Sequence, residues 1–265
     1  MPICIFAKNK YFVKRIITLF FILISVVSSA QNDSISNQFN YGGNIGLTNN
    51  GISIIPTFSL NAPAFVTSIS FSNGGKFSID PDLRLTLDGR KGGAMLWFRY
   101  KVLKDSKFKL TVGAHPAYNF ALKTITENGK TWEITQARRF WATEIVPALV
   151  INNHFALGLY YLNGHGLQDD GPTSTHFVTF SPAFTSLSLG GNYSFNVNPQ
   201  VYYLKVDKED GYYLSGNASI SNNKSPLVIM GSYNKEIHTN ITGSKNFDWN
   251  ITLLYKFNNR YTKIK

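Results

Sequence analysis

Beyond residue 30 the chain contains no run of 18 apolar residues, yet it alternates apolar and polar side chains with a period of two over long stretches. A membrane-crossing helix needs about 20 apolar residues in a row, so helical spans are excluded from that region. In 247–257 the residues Phe247, Trp249, Ile251, Leu253, Tyr255 and Phe257 share one face, opposite Asp248, Asn250, Thr252 and Lys256. Segments 77–88, 107–123 and 189–203 repeat the pattern, the first setting Phe77, Ile79, Leu83 and Leu85 against Ser78, Asp80, Asp82 and Arg84. Successive strand side chains point to opposite faces, so each segment is a strand with one apolar and one polar side.

A soluble β-sandwich and a transmembrane β-barrel both satisfy that alternation. The candidate strands are longer than the usual five or six residues, which favours the barrel. Their apolar faces end in aromatic residues, and short connections at 73–75, 105–106, 151–152 and 222–224 alternate with longer ones at 124–130, 164–172, 206–209 and 239–245. Aromatic girdles, with short turns on one side and longer loops on the other, are the membrane-barrel pattern. The expected fold is therefore an all-β, transmembrane, antiparallel up-and-down β-barrel of twelve strands within 51–257, with fourteen strands as the alternative. The first strand is expected at 51–60. Pro56, Pro116, Pro147, Pro182 and Pro199 fall inside expected strands, where a missing N–H predicts bulges or strand ends.

Composition agrees. Only 15% of the 265 residues are charged while 14% are aromatic, against about 25% charged in ordinary soluble domains. The aromatic load excludes a disordered chain, and a single cysteine excludes a disulfide framework.

The first 30 residues read as a cleaved secretory signal. Lys8, Lys10, Lys14 and Arg15 precede an apolar run from Ile16 to Val27, and Ser28, Ser29 and Ala30 supply the small residues of a cleavage site. Residues 31–50 are expected to form a periplasmic or lumenal lead-in, and 258–265 a periplasmic tail. The formal net charge of +11 stays clearly positive once the four leader cations are removed, which suits anionic lipid or anionic solutes. Nucleic acid is not an expected partner.

The closing stretch Trp249-Asn-Ile-Thr-Leu-Leu-Tyr-Lys-Phe257 resembles the last strand of bacterial outer-membrane barrels, which the outer-membrane assembly machinery reads. The stretches Asn50-Gly-Ile-Ser-Ile-Ile-Pro-Thr-Phe-Ser59, Leu96-Trp-Phe-Arg-Tyr-Lys101, Val112-Gly-Ala-His-Pro116 and Asn198-Pro-Gln-Val-Tyr-Tyr-Leu-Lys205 are similar to a family of uncharacterised, porin-like outer-membrane β-barrel proteins of Gram-negative bacteria. The resemblance implies an integral outer-membrane protein exposed to lipid and lipopolysaccharide, and it implies no activity.

Parity sorts the chemistry. Asp80, Asp82, Arg84, Arg99, Lys101, Lys109, His115, Arg138 and Glu144 are expected to line the lumen, because a charge on the lipid face costs about 2–4 kcal/mol at mid-bilayer. Tyr100, Tyr118, Phe120, Trp141, Tyr193, Tyr203, Trp249, Tyr255 and Phe257 are expected to face lipid or form the girdles. A lumen of ion pairs gives a rigid scaffold, whereas a basic lining gives an anion-preferring channel. The leading expectation is thus a small-solute channel or a structural subunit of an envelope complex, non-enzymatic and without cofactor or metal. The alternatives are an outer-membrane lipid hydrolase with a His/Ser site and a secreted β-sandwich binding module. His115 with Ser59, Ser68 or Ser70, and His165 beside Asp169 and Asp170, are the only clusters that reading singles out. No HExxH, GxSxG or phosphate-loop spacing is present.

Overall fold

The computed structural model describes residues 38–53, 55, 58–168 and 171–262. The expected leader lies outside them, as do Asp169 and Asp170. The strands are β1 (Gln38–Thr48), β2 (Ala64–Ser72), β3 (Phe77–Thr86), β4 (Gly92–Lys104), β5 (Phe108–Glu127) and β6 (Lys130–Asn152). They continue as β7 (Phe155–Gly166), β8 (Ser174–Ser188), β9 (Tyr193–Val206), β10 (Glu209–Asn222), β11 (Leu227–Thr239) and β12 (Phe247–Thr262). Each pairs antiparallel with its neighbour in sequence, and β1 pairs β12 to close the barrel. Closure rules out the β-sandwich.

Among the described residues there are twelve strands, but the first is not the expected one. Residues 38–48, expected as a lead-in, form β1 and pair from Gln38↔Thr262 to Thr48↔Thr252. The described residues of 51–60, expected as the first strand, form none; they belong to the long β1–β2 connection, which turns into the lumen. Glycines at 42, 43 and 46 lower the strand signal of 38–48, yet neighbouring backbones close against two of them. A Cβ on Gly43 would collide with the carbonyl oxygen of Ser68, and one on Gly46 with that of Leu253. The wall also runs past Phe257, so the first residues of the expected tail are strand.

One end of the barrel carries Gln38, Thr262 and the short connections 73–76, 105–107, 153–154, 189–192 and 223–226. The other carries 49–63, 87–91, 167–173 and 240–246. Two loops expected there are tight turns instead. Residues 124–130 extend the β5–β6 hairpin to a turn at Asn128-Gly129, whose φ values of 51° and 74° are those of a type I′ turn. Residues 206–209 reduce to the two-residue turn Asp207-Lys208.

Alternation holds through the wall. Trp249 and Ile251 are 51% and 53% exposed, while Asn250 and Thr252 between and beyond them are 8% and 2% exposed. The outer surface is correspondingly apolar, with Ile45, Leu47, Ile145, Leu149, Leu159, Val178, Phe180 and Leu253 all exposed. So large an apolar exterior has no place in water. At the short-turn end Phe39, Tyr41, Phe71, Phe257 and Tyr261 pack ring against ring, Tyr41 and Tyr261 with centroids 5.8 Å apart.

Pro56 lies outside the described residues; the other strand prolines neither end strands nor bulge them. Pro81, Pro116, Pro147, Pro182 and Pro199 lie on the outward parity and keep register with one neighbour strand, as in Pro116↔Trp141 and Pro199↔Gly216. On the opposite side the ladder skips. The β4–β5 pairing passes from Met95↔Ala117 to Phe98↔Ala114, and β8–β9 from Phe180↔Val201 to Phe184↔Val197, with the register unchanged across each gap. A proline has no N–H to give, so it costs one rung on one side only. A closed barrel tolerates that, because the neighbouring strands remain tied by the rest of the ladder.

Candidate functional site

The lumen is the candidate site, and its two halves differ. On β3 to β6 the inward side chains form an ionic network. Arg99 on β4 donates from Nε to Glu144 Oε1 at 2.6 Å and from Nη1 to Asp80 Oδ2 at 2.9 Å. Ser70 Oγ and Ser78 Oγ donate to the same Asp80 carboxylate at 2.5 and 3.2 Å. The Glu144 side chain is fully buried. Register explains the grouping, since Gly113 faces Arg99 across β4–β5 and Glu144 across β5–β6. A Cβ on Gly113 would sit 2.6 Å from Glu144 Oε1 and 3.2 Å from Arg99 Cγ, so the missing side chain is the space the pair occupies. The Arg99 guanidinium also lies 4.2 Å above the Trp97 ring, whose other neighbour is His115 at a centroid distance of 3.6 Å. His115 is buried, and its Nδ1 has no hydrogen-bond partner among the described residues.

Toward the longer-loop end of β8 to β10 the inward residues include an apolar group. Phe177, Tyr202, Leu204, Val206 and Tyr213 form a buried cluster with Ile241 of the β11–β12 connection. Tyr202 and Tyr213 stack at 4.7 Å. Their hydroxyls find partners, Tyr202 donating to Asn234 Oδ1 and Tyr213 to Thr239 Oγ1, both at 2.8 Å.

The β1–β2 connection lies between the two halves. Ile55 packs on the apolar cluster and Phe58 meets Phe140 edge-on at 5.2 Å. Leu60 is buried, and its carbonyl oxygen accepts from Lys91 Nζ. On either side of this segment is a cavity. One of about 370 Å³ is bounded by β1–β3 and β9–β12, including Asn44, Gln200, Asn217, Ser232 and Asn250. The other, of about 330 Å³, is bounded by β2–β8, including Met95, Trp97, His115, Asn119 and Phe140. Ser53, Ser68, Asp82 and Arg84 border both.

The expected lumen residues therefore separate into four positions. Asp80, Arg99 and Glu144 are locked together; Asp82, Arg84 and His115 border free space; Arg138 lies against Gly171 of the β7–β8 connection. Lys101 and Lys109 sit at the short-turn mouth rather than in the midsection, Lys109 being exposed beside the β4–β5 turn. Of the expected outer residues, Tyr118, Trp141, Tyr193, Trp249 and Tyr255 are exposed, and Tyr100, Phe120, Tyr203 and Phe257 are half-buried on the outward parity.

The His115/Ser grouping singled out in the sequence does not assemble, and the grouping of His165 with Asp169 and Asp170 lies partly outside the described residues. His115 packs on Trp97 and hydrogen-bonds none of Ser59, Ser68 or Ser70; Ser59 bonds Ser53 and Ser70 bonds Asp80. A grouping the sequence reading missed does assemble, on the outer face. Ser174 and His176 on β8 meet Asn163 and Tyr161 on β7, because the hairpin register sets Asn163 opposite His176. Its signal was Ser174-x-His176 at the start of one strand with Asn163-x-His165 near the end of the preceding one, legible only once the two strands are paired in register. Among the described residues no three His, Cys, Asp or Glu side chains gather to hold a metal ion.

A closed barrel of twelve antiparallel strands with an apolar exterior and a polar, partly filled lumen is a transmembrane β-barrel. No family model and no curated protein matches the chain. Solved structures similar to it in fold include the KdgM porin in complex with disordered oligogalacturonate, at 10% identity and TM-score 0.47 over 83% of this chain and 99% of that one. An outer-membrane channel from Pseudomonas putida F1 aligns at 8% identity and TM-score 0.49, over 83% of this chain and 94% of that one. The β domain of the Bordetella autotransporter BrkA aligns at 11% identity and TM-score 0.43, over 84% and 99% of the two chains.

Proposed function

We propose that the protein is an integral barrel of the Gram-negative outer membrane that passes small solutes through a narrow, weakly anion-preferring lumen. The observation that carries this reading is the pair of lumenal cavities meeting at Ser53, Ser68, Asp82 and Arg84, a polar junction rather than a dry core. The anion preference rests on the short-turn mouth. Lys76, Lys101, Lys104, Lys107, Lys109 and Lys224 lie there with Asp105 as the acid among them. The internal charges add little to it, since Arg99 is neutralised by Asp80 and Glu144.

Lipid and lipopolysaccharide surround such a barrel, and the outer-membrane assembly machinery inserts it. Insertion into planar bilayers tests the reading. Discrete conductance steps are expected, with a reversal potential in a salt gradient on the anion side. Clear cation selectivity sinks the anion preference. Folded protein that never conducts points instead to a sealed structural subunit, a reading favoured by the aromatic cluster and the β1–β2 segment that fill much of the lumen.

A further inference from the structure

The outer surface of β7 and β8, at the longer-loop end, holds a chain of side chains with the form of a hydrolytic relay. Ser174 Oγ lies 3.5 Å from His176 Nε2. His176 Nδ1 lies 3.0 Å from the Tyr161 hydroxyl and 3.3 Å from the Asn163 amide nitrogen, and Asn163 Oδ1 lies 2.9 Å from His165 Nε2. Asn163 Nδ2 is also 3.4 Å from the carbonyl oxygen of Thr175. A hydroxyl nucleophile beside one imidazole nitrogen, with the other nitrogen oriented by a third group, is the arrangement that nucleophilic catalysis requires. The spacing of 3.5 Å is long for a hydrogen bond, as such pairs often are before substrate tightens them.

We propose that Ser174 and His176, oriented by Tyr161 and Asn163, form an acyl-ester hydrolase site for phosphate-bearing lipids at the outer rim of the barrel. The site is independent of the lumen and of whether the lumen conducts.

Position defines the substrate class. Ser174 opens β8 directly after the 167–173 connection, and the outward residues below it are apolar: Val178, Phe180 and, on β7, Leu159. Trp141, exposed on the neighbouring strand, pairs with His165. The hydroxyl therefore sits where the polar and apolar parts of a bilayer meet, the depth at which ester carbonyls lie. Cations flank it. Lys205 of β9 is directly opposite His176, and Arg139, two residues before Trp141 on the same outward parity, lies on the other side. A phosphate-bearing amphiphile would have its charge met on both sides of the nucleophile.

The Ser174 backbone is held from outside the membrane. Its N–H, with the N–H and hydroxyl of Thr173, donates to the Asp207 carboxylate of the β9–β10 turn, at 2.8 Å for Ser174.

The chemistry needs water alone. With the Nδ1 proton donated to the Tyr161 oxygen, Nε2 presents its lone pair to Ser174. In that tautomer the Asn163 amide nitrogen donates to the Thr175 carbonyl oxygen, 3.4 Å away, rather than to Nδ1. Ser174 Oγ then attacks the ester carbonyl while its proton passes to Nε2. The tetrahedral adduct expels the lipid alkoxide, which leaves as the alcohol carrying that proton. Water attacks the acyl-serine, giving its proton to Nε2; the fatty acid departs and Ser174 regains its hydrogen.

The test uses purified, folded full-length protein with vesicles of phosphatidylethanolamine and phosphatidylglycerol, and separately with lipopolysaccharide. Released acyl chains are followed by mass spectrometry, and an active-site fluorophosphonate is mapped to its labelled peptide. Acyl release from either lipid, with label on Ser174, is expected, and the productive arm identifies the lipid. Ser174→Ala and His176→Ala should lower release by about 1000-fold while heat-modifiable gel mobility stays that of a folded barrel. Lys205→Ala should raise KM more than it lowers kcat. Wild-type protein that releases nothing from either lipid and takes no label on Ser174 overturns the proposal, as does release that survives Ser174→Ala. Unchanged bilayer conductance in Ser174→Ala is expected and separates this site from the lumen.

Discussion

The inner faces of β3–β6 and of β8–β10 fill the same kind of space by opposite means. The first uses a guanidinium held between two carboxylates, the second stacked rings and aliphatic side chains. A buried ion pair is costly to desolvate and stabilises only while every member is present. An aromatic cluster loses stability in proportion to the volume removed. The charged wall should therefore fail abruptly and the apolar wall gradually, even though the backbone ladder is the same in both.

Arg99→Met tests the abrupt side. It leaves Asp80 and the fully buried Glu144 without their cation and should cost about 3–5 kcal/mol, read as loss of heat-modifiable mobility at lower urea. If a triple variant that also neutralises Asp80 and Glu144 is as unstable as Arg99→Met, the ionic account is wrong.

On the apolar side Leu204→Ala empties a fully buried position and should cost about 2–5 kcal/mol, with a larger conductance if the cavity joins the lumen. A cost equal to that of deleting an exposed leucine such as Leu253 would remove the cluster from the account. Gly113→Ala sharpens the charged side by steric means. Its Cβ intrudes on the Arg99–Glu144 pair and should cost about 1–3 kcal/mol, partly recovered in Gly113→Ala/Glu144→Gln if the pair is what it displaces. Tyr202→Phe removes only the hydrogen bond to Asn234 and should cost about 0.5–1.5 kcal/mol, measured by the same urea titration.

The smallest effect lies outside both walls. Hydrogen bonds from the Thr173 hydroxyl and the Thr173 and Ser174 N–H groups hold the Asp207 carboxyl below the usual carboxylate range. The Thr86 hydroxyl and Arg90 N–H do so for Asp88, and the Lys107 N–H and Ser106 hydroxyl for Asp105. Each is depressed in the folded state, so its contribution is present above the unfolded value of about 3.9 and is lost as pH falls through the lower folded value. Below about pH 4 the turns should become sensitive to an acid protease while the barrel keeps its folded mobility. Unfolding of the whole barrel at that pH would show that the walls, not the turns, carry the acid response.

The strand period, the inward and outward sorting of most wall residues and the number of strands were all legible in the sequence, because side chains alternate about a wall whatever its neighbours. Phe247, Trp249, Ile251 and Leu253 declare their face without a partner strand. Which segment is β1 was not legible. Residues 51–60 are locally better strand formers than the glycine-rich 38–48, and only the close approach of Ser68 and Leu253 makes Gly43 and Gly46 an advantage. The joining of Asp80, Arg99 and Glu144 was equally hidden, since those residues lie on three strands and meet through three registers, β3–β4 between Asp80 and Arg99 and two more across Gly113 between Arg99 and Glu144. The Ser174, His176 and Asn163 grouping depends on yet another register, fixed when β7 and β8 pair. Alternation is a one-strand property written in the chain itself; register, closure and the meeting of distant side chains belong to pairs of strands, and only the assembled barrel decides them.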